Sequence, residues 1–154
     1  MPAAGPEMGD ERDLLSLDKQ LCFAVYAAGH AFTRFYKPRL DALDLTYPQY
    51  LVFLVLWEED GLTVKALGDR LFLDSGTITP LVKRLEARGL LMRKRDDEDE
   101  RQVRVLLTRE GRAMRSKALA VPLAVVGATG LDNATFEHLK GELDMLRERL
   151  AGAA

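Results

Sequence analysis

The chain has 154 residues, of which 47% are hydrophobic and 30% are charged, and it carries one cysteine. That length and balance are typical of one globular domain, and a single cysteine excludes an internal disulfide and any metal site built from several cysteines. The chain opens without an apolar leader, and its longest apolar run, residues 50–57, is far shorter than the ~20 residues that cross a bilayer. We therefore expect a cytoplasmic protein with no membrane partner.

The net charge of −2 is unevenly distributed along the chain. Residues 62–95 carry eight basic and three acidic side chains, whereas residues 1–61 carry five and ten. A local basic patch, and not the charge of the whole chain, is what attracts the phosphates of a nucleic acid. On charge alone, an ordinary solvated surface remains the alternative.

The first third of the chain predicts a tail followed by two helices. Residues 1–13 are small, charged and rich in Pro and Gly, which predicts a flexible tail. Apolar residues recur at helical spacing over residues 14–36, and Pro38 is expected to end that helix or forbid its continuation. A second helix has Pro48 in its first turn and runs to about residue 59. It is apolar nearly all round, which predicts the buried central helix.

The next fifty residues predict two helices joined by a tight turn, followed by a hairpin. Thr63 is expected to cap the third helix and Asp74 or Ser75 the fourth, with Gly89 just beyond the end of the fourth. Alternation of apolar and polar residues predicts two strands around an acidic turn. The predicted segments are a third helix over 64–72, a fourth helix ending at 88, and strands over 91–95 and 102–107. This order is typical of a winged helix-turn-helix.

The remaining residues predict further helices. Thr108 begins a fifth helix that Pro122, Gly127 and Gly130 interrupt, and a final helix covers residues 134–150. The predicted fold class is mainly α with a small β wing: a winged helix-turn-helix with N- and C-terminal dimerisation helices. The predicted organisation is one domain over 14–154, with the head at about 46–108 and dimerisation helices at about 14–36 and 109–150.

A helix that lies in the major groove of DNA should present short polar side chains from its first turns. The start of the fourth helix fits this requirement. Basic residues lie further along the helix, where they would reach phosphates, and Arg88 is expected to do the same. Asp99 is expected to position Arg101 and not to touch DNA. The alternative is a winged helix that docks a protein. The candidate DNA-binding residues are Asp74, Ser75, Thr77, Ile78, Thr79, Pro80, Lys83, Arg84, Arg95, Asp99 and Arg101.

These residues resemble a known family. The runs LDSGTITPLVKRLEARGL (73–90) and RDDEDERQVRVLLTREG (95–111) are similar to the MarR family of winged-helix repressors. The resemblance covers about residues 14–150. The wing signature of that family is met by Asp99, Arg101, Val105, Leu107, Thr108 and Gly111.

A narrower resemblance is found upstream of the wing. The runs LCFAVYAA (21–28) and LTYPQYLV (45–52) are similar to the organic-hydroperoxide-sensing branch, the OhrR group. This resemblance implies a homodimeric repressor on a pseudo-palindromic operator of double-stranded DNA, with a reactive cysteine in the first helix. The chain has no second cysteine, so the one-cysteine subtype is implied. The implied redox-sensing residues are Cys22, Tyr26, Tyr36 and Tyr47.

Helix geometry bears on the implied thiol site. On one helix Cys22, Tyr26 and Tyr36 share a face, but Tyr36 lies about 21 Å further along the axis. A second subunit must therefore bring its own Tyr36 and Tyr47 to the thiol. Phenol O–H groups would stabilise the thiolate, which an organic hydroperoxide oxidises to a sulfenic acid. A low-molecular-weight thiol would cap that product, and the operator would be released.

Two further alternatives to thiol-based regulation remain. A regulator of the same fold could be released by a small aromatic or phenolic ligand in a pocket lined by apolar side chains of the first two helices. A one-cysteine peroxidase would share the activated thiol, but the basic winged helix argues against an enzyme. His30 and His138 lack partners at metal-ligand spacing, so no metal or cofactor is expected. The candidate lining residues of the ligand pocket are Phe23, Phe32, Phe35, Phe53 and Trp57.

Overall fold

A computed structural model describes residues 14–154, so the tail predicted for residues 1–13 lies outside the described part of the chain. A short 3-10 turn at Leu17–Lys19 precedes the first helix. The described elements are α1 (Leu21–Asp41), α2 (Tyr47–Glu58), α3 (Val64–Leu71), α4 (Ser75–Ala87), β1 (Leu91–Arg95), β2 (Val103–Leu107), α5 (Arg109–Ala118), α6 (Ala120–Thr129) and α7 (Asn133–Ala153). The fold is mainly α-helical with a two-stranded wing, which confirms the predicted fold class.

The first helix starts later and ends later than the sequence predicts. It begins at Leu21 and not at residue 14, and it continues through Pro38 to Asp41. The expected stop at Pro38 is wrong, because the helix continues for three residues beyond the proline. The last turn is held by the amide of Ala42, which donates to the Pro38 carbonyl at 3.3 Å, and by Leu40, which is buried in the core.

The second helix forms as predicted around a local start signal. Thr46 and Gln49 form a capping box, in which the Thr46 hydroxyl accepts from the Gln49 amide and the Gln49 side chain accepts from the Thr46 amide. Pro48 lies in the first turn. The helix contributes four apolar side chains to the core and is the buried central helix, as expected. These side chains are Val52, Phe53, Val55 and Leu56.

The helix-turn-helix is built from α3, α4 and the turn between them. Thr63 and Asp74 cap the two helices through their side chains, as predicted. Phe72, which ends α3, adopts a left-handed backbone conformation with φ 56°. Gly68 allows the backbones of α3 and the turn to approach closely, because a Cβ there would lie 2.5 Å from the Leu73 carbonyl oxygen.

The wing is an antiparallel hairpin that packs against the helix-turn-helix. Its register pairs Leu91 with Leu107 at one end and Arg95 with Val103 at the other. Val105 is fully buried, so one face of the hairpin closes the core of the head. Gly89, with φ 73°, makes the turn from α4 into β1, as its place beyond the helix end predicts.

The C-terminal helices break at different places from those predicted. The first interruption is at Leu119, between α5 and α6, and not at Pro122. Pro122 lies in the first turn of α6, where its missing N–H needs no partner inside the helix. Gly127 lies inside α6, whereas Gly130 ends it with φ 64°, as predicted. The last helix then runs to Ala153 and not to residue 150.

Over residues 14–154, no single helix is long and apolar enough to cross a membrane. The bent pair Arg109–Thr129 and Asn133–Ala153 meets the length and composition test together, with an angle of 99° between its two parts.

Candidate DNA-binding surface and thiol site

One face of α4 is buried in the head and the opposite face is exposed. Ile78, Val82 and Leu85 are fully buried, whereas Thr77 and Pro80 are exposed on the other side of the helix. Ile78 therefore cannot reach a base edge, and its place among the candidate DNA-binding residues is wrong. Helical periodicity turns Ile78 towards the core together with Val82 and Leu85.

Asp74 holds the start of α4 in place. Its carboxylate accepts a hydrogen bond from the Thr77 amide at 2.8 Å. This bond satisfies one of the free N–H groups at the helix start. Ser75 and Thr77 are exposed in this first turn. Asp74 thus fixes the orientation of the polar side chains that follow it.

Several basic residues of the head are bound within the protein. Arg88 pairs with Asp44 at 3.3 Å at the protein surface, and its predicted contact with a phosphate stays a prediction. Arg93 is held by Glu86, and Arg104 is held by Asp96. The arginines hold the pKa of the Glu86 and Asp96 carboxyls below their usual values, mainly through hydrogen bonds to the carboxylates. These three arginines fasten the wing and α4 to the rest of the head.

A second group of basic residues remains on the surface. Lys83 and Arg84 are exposed along α4, beyond its first turn, and Arg95 is exposed at the end of β1. Arg101 is 92% exposed at the wing tip. Because their charges face solvent, these side chains are the ones available to neutralise phosphates.

The wing tip has the arrangement predicted for Asp99 and Arg101. One carboxylate oxygen of Asp99 accepts from both the backbone amide and the Nε of Arg101, each at 3.1 Å. The acidic residue therefore faces the arginine and fixes its direction. Between the wing and the helix-turn-helix lies a cavity of about 330 Å³, whose lining includes Lys65, Thr79 and Arg101. Lys65 and Arg101 place positive charge on this side of the head, which suits it to a polyanion.

The candidate thiol lies on α1, away from the core. Cys22 is exposed. Tyr26, one turn further on, is also exposed and packs edge-on against His30, with ring centroids 4.4 Å apart. Tyr36 is 14 residues from Cys22 on the same helix, about 21 Å along its axis. One chain therefore does not bring Cys22 and Tyr36 together.

Three phenols form a cluster at the other end of α1. The ring centroids of Tyr36 and Tyr47 are 4.9 Å apart, and Tyr50 lies 6.1 Å and 6.2 Å from them. Tyr50 is not among the residues that the sequence predicts for this site, although it is three residues after Tyr47 and so shares a face of α2 with it. Tyr50 is nearly fully buried and supports the other two rings.

The phenols of this cluster hold their protons strongly. Burial, followed by the neighbouring Tyr47 and Tyr50, raises the pKa of Tyr36 to about 12. Burial also raises the pKa of Tyr47 and of Tyr50. At neutral pH the cluster is uncharged, and its phenols act as O–H donors. A cavity of about 280 Å³ opens beside it, lined by Gly29, Phe32, Thr33, Tyr36 and Tyr47.

The apolar residues proposed for a ligand pocket do not form one pocket. Phe53 is fully buried in the core. Phe32 and Phe35 line an apolar cavity of about 280 Å³ between α1 and α6. Trp57 lines a separate cavity of about 340 Å³ between α2 and the helices α5 and α6, with Arg115 also among its lining residues. The candidate residues are therefore distributed over separate cavities, since Phe32 also lines the cavity beside the phenol cluster.

The outer helices expose many apolar side chains. Leu21 and Tyr26 of α1 are each 64% exposed, although they belong to an amphipathic helix of 21 residues. Apolar surface of this extent is typical of a surface that a partner covers. The exposed apolar side chains of the C-terminal helices include Leu119, Leu123, Val126, Leu139, Leu143 and Leu150.

The exposed face of α4 and the basic wing define a winged-helix, DNA-binding transcription regulator. Comparison with known proteins supports the same class of protein. Residues 34–117 match the profile of the transcriptional regulator SarA/Rot family. The chain is 55% identical to the HTH-type transcriptional regulator TtmR of Methylorubrum extorquens, over 92% of this chain and 73% of that protein. It is 46% identical to the organic hydroperoxide resistance transcriptional regulator of Bacillus subtilis, over 93% of this chain and 97% of that protein.

The solved structures show the same fold. The structure of reduced AbfR bound to DNA is similar, with a TM-score of 0.75 and 34% sequence identity, over 92% of this chain and 99% of that chain. The chain therefore belongs to the SarA/Rot family of winged-helix transcriptional regulators, whose structural neighbours are MarR-type regulators. The predicted family and the relationship to organic hydroperoxide regulators are confirmed.

Proposed function

We propose that this chain is a homodimeric repressor that binds a pseudo-palindromic operator and releases it when an organic hydroperoxide oxidises Cys22. Its B. subtilis relative, an organic hydroperoxide resistance regulator, supports this function. The observation that carries the proposal is the combination of an exposed thiol at one end of α1 with a protonated phenol cluster at the other. The two can meet only between two chains.

The exposed apolar faces of α1, α6 and α7 support the dimer. We infer that they are the dimerisation helices and that residues 46–108 are the DNA-reading head. In an antiparallel pairing of two α1 helices, Cys22 of one chain lies beside Tyr36 and Tyr47 of the other. Two heads related by a two-fold axis then read half-sites about one helical turn apart.

Within each half-site, α4 lies in the major groove and the wing follows the backbone. Ser75, Thr77 and Thr79 are short and polar, as base-edge contacts require, and Pro80 offers an apolar surface to a thymine methyl group. Lys83, Arg84 and Arg95 contact phosphates. Arg101, directed by Asp99, enters the minor groove, where its charge is attracted most strongly over A·T-rich steps.

The redox step begins with the thiolate of Cys22. Its sulfur attacks one peroxide oxygen, an S–O bond forms, the O–O bond breaks, and an alcohol leaves after taking up a proton. The sulfenic acid then condenses with a low-molecular-weight thiol, which forms a mixed disulfide and releases water. The cytoplasm supplies such thiols. The added group displaces Tyr36 and Tyr47, and the heads move out of register with the operator.

The test compares the unaltered protein with Cys22→Ser. Both should bind the same operator duplex before treatment. After one equivalent of cumene hydroperoxide in the presence of a low-molecular-weight thiol such as free cysteine, only the unaltered protein should lose the operator, and mass spectrometry should find the mixed disulfide at Cys22. Release of the operator by the serine variant to the same extent would refute sensing at this thiol. Loss of affinity in Arg101→Ala is the matched check on DNA binding.

The cavity beside Trp57 favours a second candidate function. Its lining combines an indole and other apolar side chains with Arg115, a combination that suits a small aromatic or phenolic anion. A regulator of this kind would respond to its ligand equally in the unaltered protein and in the Cys22→Ser variant. The serine variant therefore separates the two functions.

A further inference from the structure

One carboxylate joins the wing to the first turn of α5. Asp60 lies in the loop between α2 and α3, and its Oδ1 accepts a hydrogen bond from the amide of Leu107, the last residue of β2, at 2.9 Å. Its Oδ2 pairs with the guanidinium of Arg112 in α5 at 3.0 Å. Oδ1 also accepts from the Gly61 amide at 2.9 Å. The Asp60 side chain is 28% exposed, so these bonds are partly shielded from water.

The loop around Asp60 is bonded to the same strand. The Gly61 amide donates to the Val105 carbonyl at 3.1 Å, and the Val105 amide donates to the Leu62 carbonyl at 2.8 Å. The loop therefore lies along β2 as an extra edge. Asp60 is the point where this edge, the end of β2 and α5 meet.

α5, which Arg112 links to Asp60, is connected through α6 to the helix that carries Cys22. α5 is followed by α6, and α6 packs against α1. α1 carries Cys22 and Tyr36. A displacement of α1 would be passed through α6 and α5 to Arg112, and Asp60 is the side chain that bonds Arg112 to the wing.

We propose that Asp60 is a positioning residue for the wing: it fixes the end of β2 relative to α5 and so sets where Arg101 meets DNA. The inference rests on the proposed function, because it requires that the wing contacts DNA. Asp60 itself touches no nucleotide in this scheme. Its effect on binding therefore passes through Arg101.

The test is a double-mutant cycle on DNA affinity. The probe is a duplex selected by the unaltered protein from a random-sequence library, measured at one fixed salt concentration. Asp60→Ala should weaken binding about tenfold when Arg101 is present and less than about twofold in an Arg101→Ala background, because coupled residues are non-additive. A general loss of fold would weaken both backgrounds equally.

Arg112→Met is the second variant, because it keeps the bond from Leu107 to Asp60 and removes only the link to α5. We expect a smaller loss of affinity, about threefold, that also disappears in the Arg101→Ala background. Asp41→Asn is the control: it removes the same negative charge at an exposed carboxylate that pairs with Lys37 on α1. It should leave the affinity unchanged.

The outcomes distinguish failure of the proposed function from failure of the positioning role of Asp60. If the unaltered protein selects no duplex, the proposed function fails, and the positioning role fails with it. If it binds but Asp60→Ala and Arg112→Met have no effect, or the same effect in both backgrounds, only the positioning role is overturned. If Asp60→Ala does not fold, the Arg112→Met pair alone decides.

Discussion

Replacement of Gly68 by alanine should damage the helix-turn-helix through its backbone. The new Cβ would lie 2.5 Å from the Leu73 carbonyl oxygen and 3.5 Å from Ile78 Cγ1. The Leu73 amide also donates to the Gly68 carbonyl at 2.9 Å, so the two backbones are tied together at this point. Real Cβ atoms do not approach a carbonyl oxygen this closely, and α3 and the turn must therefore move apart.

Two opposing terms set the size of the effect. Alanine is about 1 kcal/mol better than glycine in a helix interior. Overpacking costs about 1–3 kcal/mol, and a clash with backbone, which cannot rotate away as a side chain can, belongs at the upper end. The net loss in the free energy of unfolding is therefore about 2 kcal/mol. For a chain of this size, that lowers Tm by about 4–8 °C.

The assay is thermal unfolding at one fixed protomer concentration, because the Tm of the proposed dimer would depend on concentration. Gly141→Ala is the matched control: Gly141 lies inside α7, and an added Cβ meets no heavy atom within 4 Å among the described residues. It should raise stability by about 0.5–1 kcal/mol. A Gly68→Ala protein as stable as the control would show that the close approach of α3 and the turn is not present in solution.

Two further predictions concern the site. Asp74→Ala removes the acceptor of the Thr77 amide, so it should cost about 1 kcal/mol in urea unfolding and weaken operator binding, whereas Asp74→Asn should retain most of both. The raised pKa of Tyr36 (to about 12) means that stability from this phenol is fully present below pH 10 and is lost as pH rises from about 10 to about 12. Tyr36→Phe should flatten that part of the stability profile, and an unchanged profile would contradict the burial of the phenol.

Four helix starts could be predicted because their signals are local. Thr46, Thr63, Asp74 and Thr108 each accept a hydrogen bond from the amide three residues later, and both partners lie within one turn of chain. The wing could be predicted for a similar reason, since its register needs only the alternation of residues on each side of a short turn. Helix α4 could be predicted from the Asp74 cap and from the spacing of its buried apolar residues.

The remaining features depend on residues distant in the chain. Arg88 pairs with Asp44, which lies far earlier in the chain, and no local pattern predicts this contact. The helix continues past Pro38 because Leu40 is buried against elements that follow it. Tyr50 joins the phenol cluster through the packing of α1 on α2. Sequence patterns identified the residue types of the site but not these pairings.

The neutral phenols constrain how the proposed sensor can work. Because burial keeps the protons on Tyr36, Tyr47 and Tyr50, the cluster carries no negative charge that would repel a thiolate, and it stabilises one by donating hydrogen bonds. Hydrogen bonds act over about 3 Å, so the reactivity of Cys22 depends on how closely two α1 helices pair. A bulky group on the sulfur breaks the same contacts that made it reactive. In the proposed dimer, sensing and release are therefore one structural event.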